Sequence, residues 1–247
     1  MESAETTCSA CGGSGWILSD DDSGRHAREC GCRREAMRRT RFAAARVPER
    51  YRDCSFRGFH ELNPSLKKAL KIAEEFADAY PYVENDAGLL FLGRSGVGKT
   101  HLAIAILNEV TRAKGRSGLY VDFSDLLMQI QSTFKSDSSE SKEDVLAPYA
   151  DVELLVLDEL GATKPTDFAR DMLYSLLNAR YNHRRITIAT SNFLDEPPPG
   201  EREKLEDRVG YRLRSRLHEM CRTVEMDGID YRSNIGKAGL RPVKRAR

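Results

Sequence analysis

Gly93-Arg94-Ser95-Gly96-Val97-Gly98-Lys99-Thr100 decides the fold of this 247-residue chain. The stretch fits G-x-x-x-x-G-K-[ST], the loop that cradles nucleotide phosphates. Its glycines let the backbone curl so that N–H groups point inward at anionic oxygens. The N-terminus of the following helix adds partial positive charge. In this pattern Lys99 reaches the β- and γ-phosphates and Thr100 offers its hydroxyl to Mg²⁺. The flanks agree. Gly88-Leu89-Leu90-Phe91-Leu92 reads as a buried strand, and His101 to Leu107 as the first turns of a buried helix. Gly93, Arg94, Ser95, Gly96, Val97, Gly98, Lys99 and Thr100 are therefore expected to hold a nucleoside triphosphate.

Outward from the loop, strands alternate with helices. Upstream, Asn63-Pro64-Ser65 opens a helix to about Tyr80, with Leu66, Ala69, Leu70, Ala73, Phe76 and Ala77 on one face. Downstream, Gly118 to Phe123 reads as a second strand, and Ser124 as the cap of a helix to about Phe134. Ser136 to Ser141 is serine-rich and expected to be mobile. Asp144 to Ala150 is a short amphipathic piece, followed by the strand Leu154 to Glu159 and a helix from about Asp167 to Tyr181. Ile186 to Asn192 is a further strand, Glu203 to Met220 reads as one helix, and Arg222 to Met226 as a last strand. Such alternation predicts an α/β fold, a parallel sheet between helices.

Ligands of open α/β sheets sit at the C-terminal strand ends. One strand ends there in Asp158-Glu159, four apolar residues followed by two acids. Asp158 is expected to bind Mg²⁺ with Thr100, and Glu159 to polarise the attacking water. The next strand ends in Thr190-Ser191-Asn192, where Asn192 can hold the lytic water or sense the γ-phosphate. Arg212, Arg214 and Arg216 fall on one helix, with 212 and 216 sharing a face. They read either as a basic surface or as an arginine supplied to a neighbour's nucleotide.

The first 32 residues hold four of the six cysteines, as Cys8-x-x-Cys11 and Cys30-x-Cys32. Two short-spaced pairs across a hairpin, Trp16 to Arg25, suit a tetrahedral four-thiolate Zn²⁺ site. Four thiolates leave no open position, so such a site is structural, and a segment this short depends on the metal to fold. Free or redox-active thiols are the other reading.

Net charge is +1, yet both ends are basic. Arg25 to Arg52 holds ten arginines against three glutamates, and Arg232 to Arg247 six Lys or Arg and no acid. Arg33 to Arg46 reads as a basic helix. These runs are either a solvated face or a surface for nucleic acid. Met1 to Thr7 is polar and no apolar run approaches a membrane span, so the chain is expected to be cytoplasmic, without a membrane partner.

The order of motifs resembles the AAA+ ATPases of the bacterial helicase-loader group, DnaC and DnaI, and the similar IstB-type transposition ATPases. The resemblance runs from about Tyr51 to Arg232. It rests on Tyr51 to Phe56, the loop 93–100, Tyr120 to Leu126, Leu154 to Glu159, Ala189 to Asn192 and Ser215-Arg216-Leu217. It implies an AAA+ P-loop core without a C-terminal helical lid, ATP hydrolysis, and Arg216 as the arginine finger. The segments it implies are a zinc module with basic helix over 1–46 that binds a partner, an ATPase domain over 47–235, and a disordered basic tail over 236–247. The implied partners are a replicative DNA helicase, single-stranded DNA, and further copies of the chain meeting at the ATP site. Two alternatives share the core: a transposition helper that remodels DNA and recruits a transposase, and a non-hydrolysing nucleotide-dependent adaptor.

Overall fold

The computed structural model describes residues 8–21, 24–134, 140–200 and 203–233. The tail 236–247 and most of the serine-rich stretch, 135–139, lie outside the described residues.

The N-terminal module is an antiparallel hairpin, β1 (Trp16–Asp21) and β2 (Gly24–Glu29), followed by helix α1 (Gly31–Ala44). None of the residues of α1 is buried. The helix is moored at its C-terminal end. Tyr120 N–H donates to Ala45 O at 2.8 Å, and the Arg112 guanidinium lies 3.5 Å over the Phe42 ring. Helix α2 (Pro64–Ala79) begins as its sequence predicts, with the Asn63 side chain accepting from Leu66 N–H and Pro64 in the first turn.

Five parallel strands follow: β3 (Gly88–Leu92), β4 (Gly118–Asp122), β5 (Leu154–Leu160), β6 (Ile186–Ser191) and β7 (Cys221–Glu225). Their order across the sheet is β4-β5-β6-β3-β7. Alternate residues face opposite layers, as the pleat requires. Leu89, Phe91, Leu154 and Val156 pack with α2 and with α3 (Lys99–Asn108), which runs on as a π-turn over Glu109–Ala113. Leu90, Leu92, Leu155 and Leu157 pack on the other side. That side is covered by α4 (Phe123–Ser132), α5 (Lys142–Asp151), α6 (Asp167–Asn182), α7 (Leu205–Val209) and α8 (Tyr211–Met220). Burial on both faces explains why the strands read as continuous apolar runs.

Three details differ from the sequence reading. Helix α4 is capped by Asp122, whose carboxylate accepts from Ser124 and Asp125 N–H, not by Ser124. Strand β5 continues past the acid pair to Leu160, with a bulge against β6 between Leu157 and Leu160. The helix read over 203–220 is two, because Gly210 adopts φ 88° and ψ 154° and turns the chain between α7 and α8.

Candidate functional site

Four strand ends converge on a cavity of about 390 Å³. From the end of β3 the loop passes into α3, whose N-cap is Gly98 in the left-handed region at φ 100°. Gly98 has no side chain to cap the helix, so the amides of the first turn remain for a ligand. Gly96 is required by a close approach from elsewhere in the chain. A Cβ there would lie 1.9 Å from Asp230 Oδ1.

Lys99 is 6% exposed. Its ammonium donates to Gly93 O at 2.7 Å, Arg94 O at 2.8 Å and Asn192 Oδ1 at 2.7 Å. Burial pulls its pKa down to about 8, against the opposing pull of Asp158 and Glu159. Asn192, just past the end of β6, is thereby joined to the lysine of the loop.

Asp158 is 2% exposed and fully engaged. Its Oδ1 accepts from Thr100 Oγ1 at 2.9 Å and Thr190 Oγ1 at 2.6 Å, and its Oδ2 accepts from the Tyr120 hydroxyl at 2.9 Å. Burial, then the Asp158 charge, pushes the Tyr120 phenol far above its usual range, so it remains a donor. The paired oxygens of Thr100 and Asp158 are hard donors in contact, a set that suits Mg²⁺.

Glu159 sits at φ 58°, left-handed for a residue with a side chain. The bulge puts it there, and its N–H donates to Thr190 Oγ1 at 3.0 Å. Its carboxylate lines the cavity, with its pKa raised by burial and then by Asp158. A carboxyl shifted in this direction is better suited to accept a proton from water.

The structure brings Glu159, Asn192, Asp158 and the 93–100 loop together, but not Arg216. That residue is on α8, outside the cavity lining, with its guanidinium 4.1 Å over the Tyr181 ring. Its neighbour Arg214 is held by Asp195 at 2.6 Å and Glu206 at 3.9 Å.

Several residues around the site were given no role of their own by the sequence reading. Tyr120 and Thr190 orient Asp158, and neither is charged or part of the glycine-rich loop. Tyr51 and Phe59 form an apolar wall beside the loop. The segment after β7 folds back over the loop, with Met226 N–H on Leu92 O at 2.7 Å and Tyr231 N–H on Gly96 O at 3.1 Å. It brings Tyr231 and Arg232 to the cavity, and the Arg232 charge acts on both Glu159 and Lys99. In sequence, Arg232 reads only as the start of a basic tail.

A second cluster lies in the N-terminal module. The Sγ atoms of Cys8, Cys11, Cys30 and Cys32 all lie within 4.8 Å of one another. Cys8–Cys30 measures 3.7 Å and Cys11–Cys32 3.4 Å. Tetrahedral zinc with Zn–S near 2.3 Å requires sulfurs about 3.8 Å apart. Gly15 N–H donates to Cys11 Sγ at 3.3 Å and is the main cause of a thiol pKa lowered to about 6. The hairpin returns Cys30 to the first pair through Cys30 N–H on Gly15 O at 2.9 Å. The donor set fits structural Zn²⁺; His26 is not part of it.

A family model described as IstB-like ATP binding protein matches residues 4–236. The replicative helicase loader DnaC of Buchnera aphidicola subsp. Schizaphis graminum is 33% identical over 168 residues, 68% of this chain and 66% of that protein. The chain thus spans just under two thirds of that relative's length. A crystal structure of the DnaC helicase loader superposes with TM-score 0.63 at 28% identity, covering 73% of this chain and all of that one. The DnaI structure gives TM-score 0.61 at 25% identity, covering 77% and 98%. The P-loop, the acid pair and the parallel sheet are those of an AAA+ fold, and the chain belongs to the IstB-like ATP binding protein family.

Proposed function

We propose that this protein is an ATPase that loads a replicative DNA helicase onto single-stranded DNA. The observation that carries the catalytic half is the convergence of Lys99 with Asn192, and of Thr100 with Asp158, beside the cavity-lining Glu159. Lys99, Arg232 and the α3 amides would bind the phosphates. Thr100 and Asp158 would hold Mg²⁺, whose charge would offset that of the phosphates. Glu159 would take the proton of the attacking water, oriented with help from Asn192. Arg216 would complete a neighbouring copy's site, which makes turnover dependent on assembly.

The loading half is supported by the relatives described as helicase loaders. In this reading residues 1–46 are the partner-binding module, folded around Zn²⁺, and residues 47–235 the ATPase domain. Contact with single-stranded DNA is supported by α1. Arg34, Arg38 and Arg41 share one face at i, i+4, i+7, and no carboxylate partner is found for them among the described residues. Phosphate contacts of this kind weaken as salt rises. No helix among the described residues is long and apolar enough to cross a membrane. The family description keeps the transposition helper as a second reading.

Two measurements on the full chain test the proposal. Glu159→Gln should retain ATP binding while turnover falls on the order of 100-fold or more, the scale of general-base loss; turnover equal to the native rate favours the adaptor instead. A pull-down against purified replicative helicase should succeed with zinc present and fail after chelation. Capture of a transposase and not of the helicase would decide for the second reading.

A further inference from the structure

An arginine that must reach another copy's phosphate needs to be held in place without spending its N–H donors or its charge on its own chain. Arg214 fails this requirement, since Asp195 and Glu206 claim it. Arg216 meets it in an unusual way. The face of its guanidinium lies 4.1 Å from the Tyr181 ring, and it has no carboxylate partner among the described residues. A cation–π contact orients the planar group from one face and leaves the N–H edge open. Yet a carboxylate is at hand. Glu219 follows Arg216 by three residues on α8, the spacing at which helical ion pairs form. It is engaged elsewhere, because the Tyr181 hydroxyl donates to Glu219 Oε1 at 2.5 Å.

We infer that Tyr181 is a positioning residue for Arg216: its ring seats the guanidinium and its hydroxyl withholds Glu219 from it. One side chain of α6 thus does both tasks for a residue of α8. The bond to Glu219 also raises the pKa of the Tyr181 phenol. The inference rests on the trans role given to Arg216 above.

The test is ATP turnover of the full chain in four variants. Tyr181→Phe keeps the ring but releases Glu219, which then pairs with Arg216. Turnover should fall about tenfold, a fraction of the 10³–10⁵ that an arginine finger supplies. Tyr181→Phe with Glu219→Gln should recover to within about twofold of native, since the freed group no longer carries charge. Arg216→Ala should lose most of the turnover. Mixing supplies the readout that a damaged fold would not give. Tyr181→Phe subunits have an intact P-loop and a blocked arginine; Lys99→Ala subunits have the reverse. Together they should turn over faster than the sum of the two alone.

If Tyr181→Phe turns over at the native rate while Arg216→Ala is impaired, the inference is overturned and the trans role stands. Failure of the double variant to recover, or of mixing to rescue, also overturns it. If Arg216→Ala turns over at the native rate, the trans role itself falls, and the inference with it.

Discussion

Lys99 is the residue on which the site's proton balance turns. Its ammonium is buried among three oxygens, and burial holds its pKa near 8 where an exposed lysine titrates above 10. A triphosphate favours the charged form and raises that pKa again. The sign follows. Below pH 8 the lysine is already protonated and ATP binds without proton uptake. Above pH 8 each binding event takes up a proton and affinity falls. Calorimetry at pH 8.5 in two buffers of different ionisation enthalpy should show uptake of more than half a proton, and at pH 7 almost none. The sequence marks the polar strand end Thr190-Ser191-Asn192 but points to Asn192 within it, leaving Thr190 as one more β-branched side chain in a buried strand. In the fold it bonds both Asp158 Oδ1 and Glu159 N–H. Thr190→Val leaves the Glu159 N–H without its acceptor and removes one of the two donors to Asp158 Oδ1, which keeps Thr100. It should cost about 1–3 kcal/mol in chemical denaturation, the scale of one unsatisfied group.

At the scale of elements, the sequence was read most easily where local pattern and burial agree. Strand β3, the loop and α3 are one continuous message: five apolar residues, spaced glycines, then an apolar helix. It was read least well where one residue's backbone state decides. Nothing in the apolar spacing of 203–220 announces the break, since Leu205, Val209, Leu213 and Leu217 keep helical periodicity across it. Gly210 alone marks it, at φ 88° and ψ 154°, a conformation open only to glycine. Gly210→Ala should destabilise the fold by about 1–3 kcal/mol, measured by thermal or urea unfolding. The bulge that turns Glu159 out of β5 was likewise hidden, because a strand ending in two acids looks the same whether or not it is bulged.

At the scale of the molecule, the cysteine spacing announced the N-terminal cluster, and the hairpin closes it as the register requires. The contribution of Tyr231 and Arg232 was not legible, because it depends on a return of the chain across more than a hundred residues. The same holds for Tyr181 and Arg216, brought together by the packing of α6 on α8. Chelation should release four cysteines to a thiol reagent under native conditions while the α/β core keeps its thermal transition. The core's buried clusters include none of the four.

The return of residues 226–232 over the phosphate loop couples two things that a motif treats as separate. Asp230 occupies the space beside Gly96, and Tyr231 N–H is bonded to the loop's own carbonyl. The loop's shape is therefore shared between two distant stretches of one chain. Thermodynamic linkage makes the sharing reciprocal. A displacement of residues 229–232 from the loop therefore alters its affinity for nucleotide, and nucleotide alters the ease of that displacement by the same factor. The two stretches answer to a single ligand.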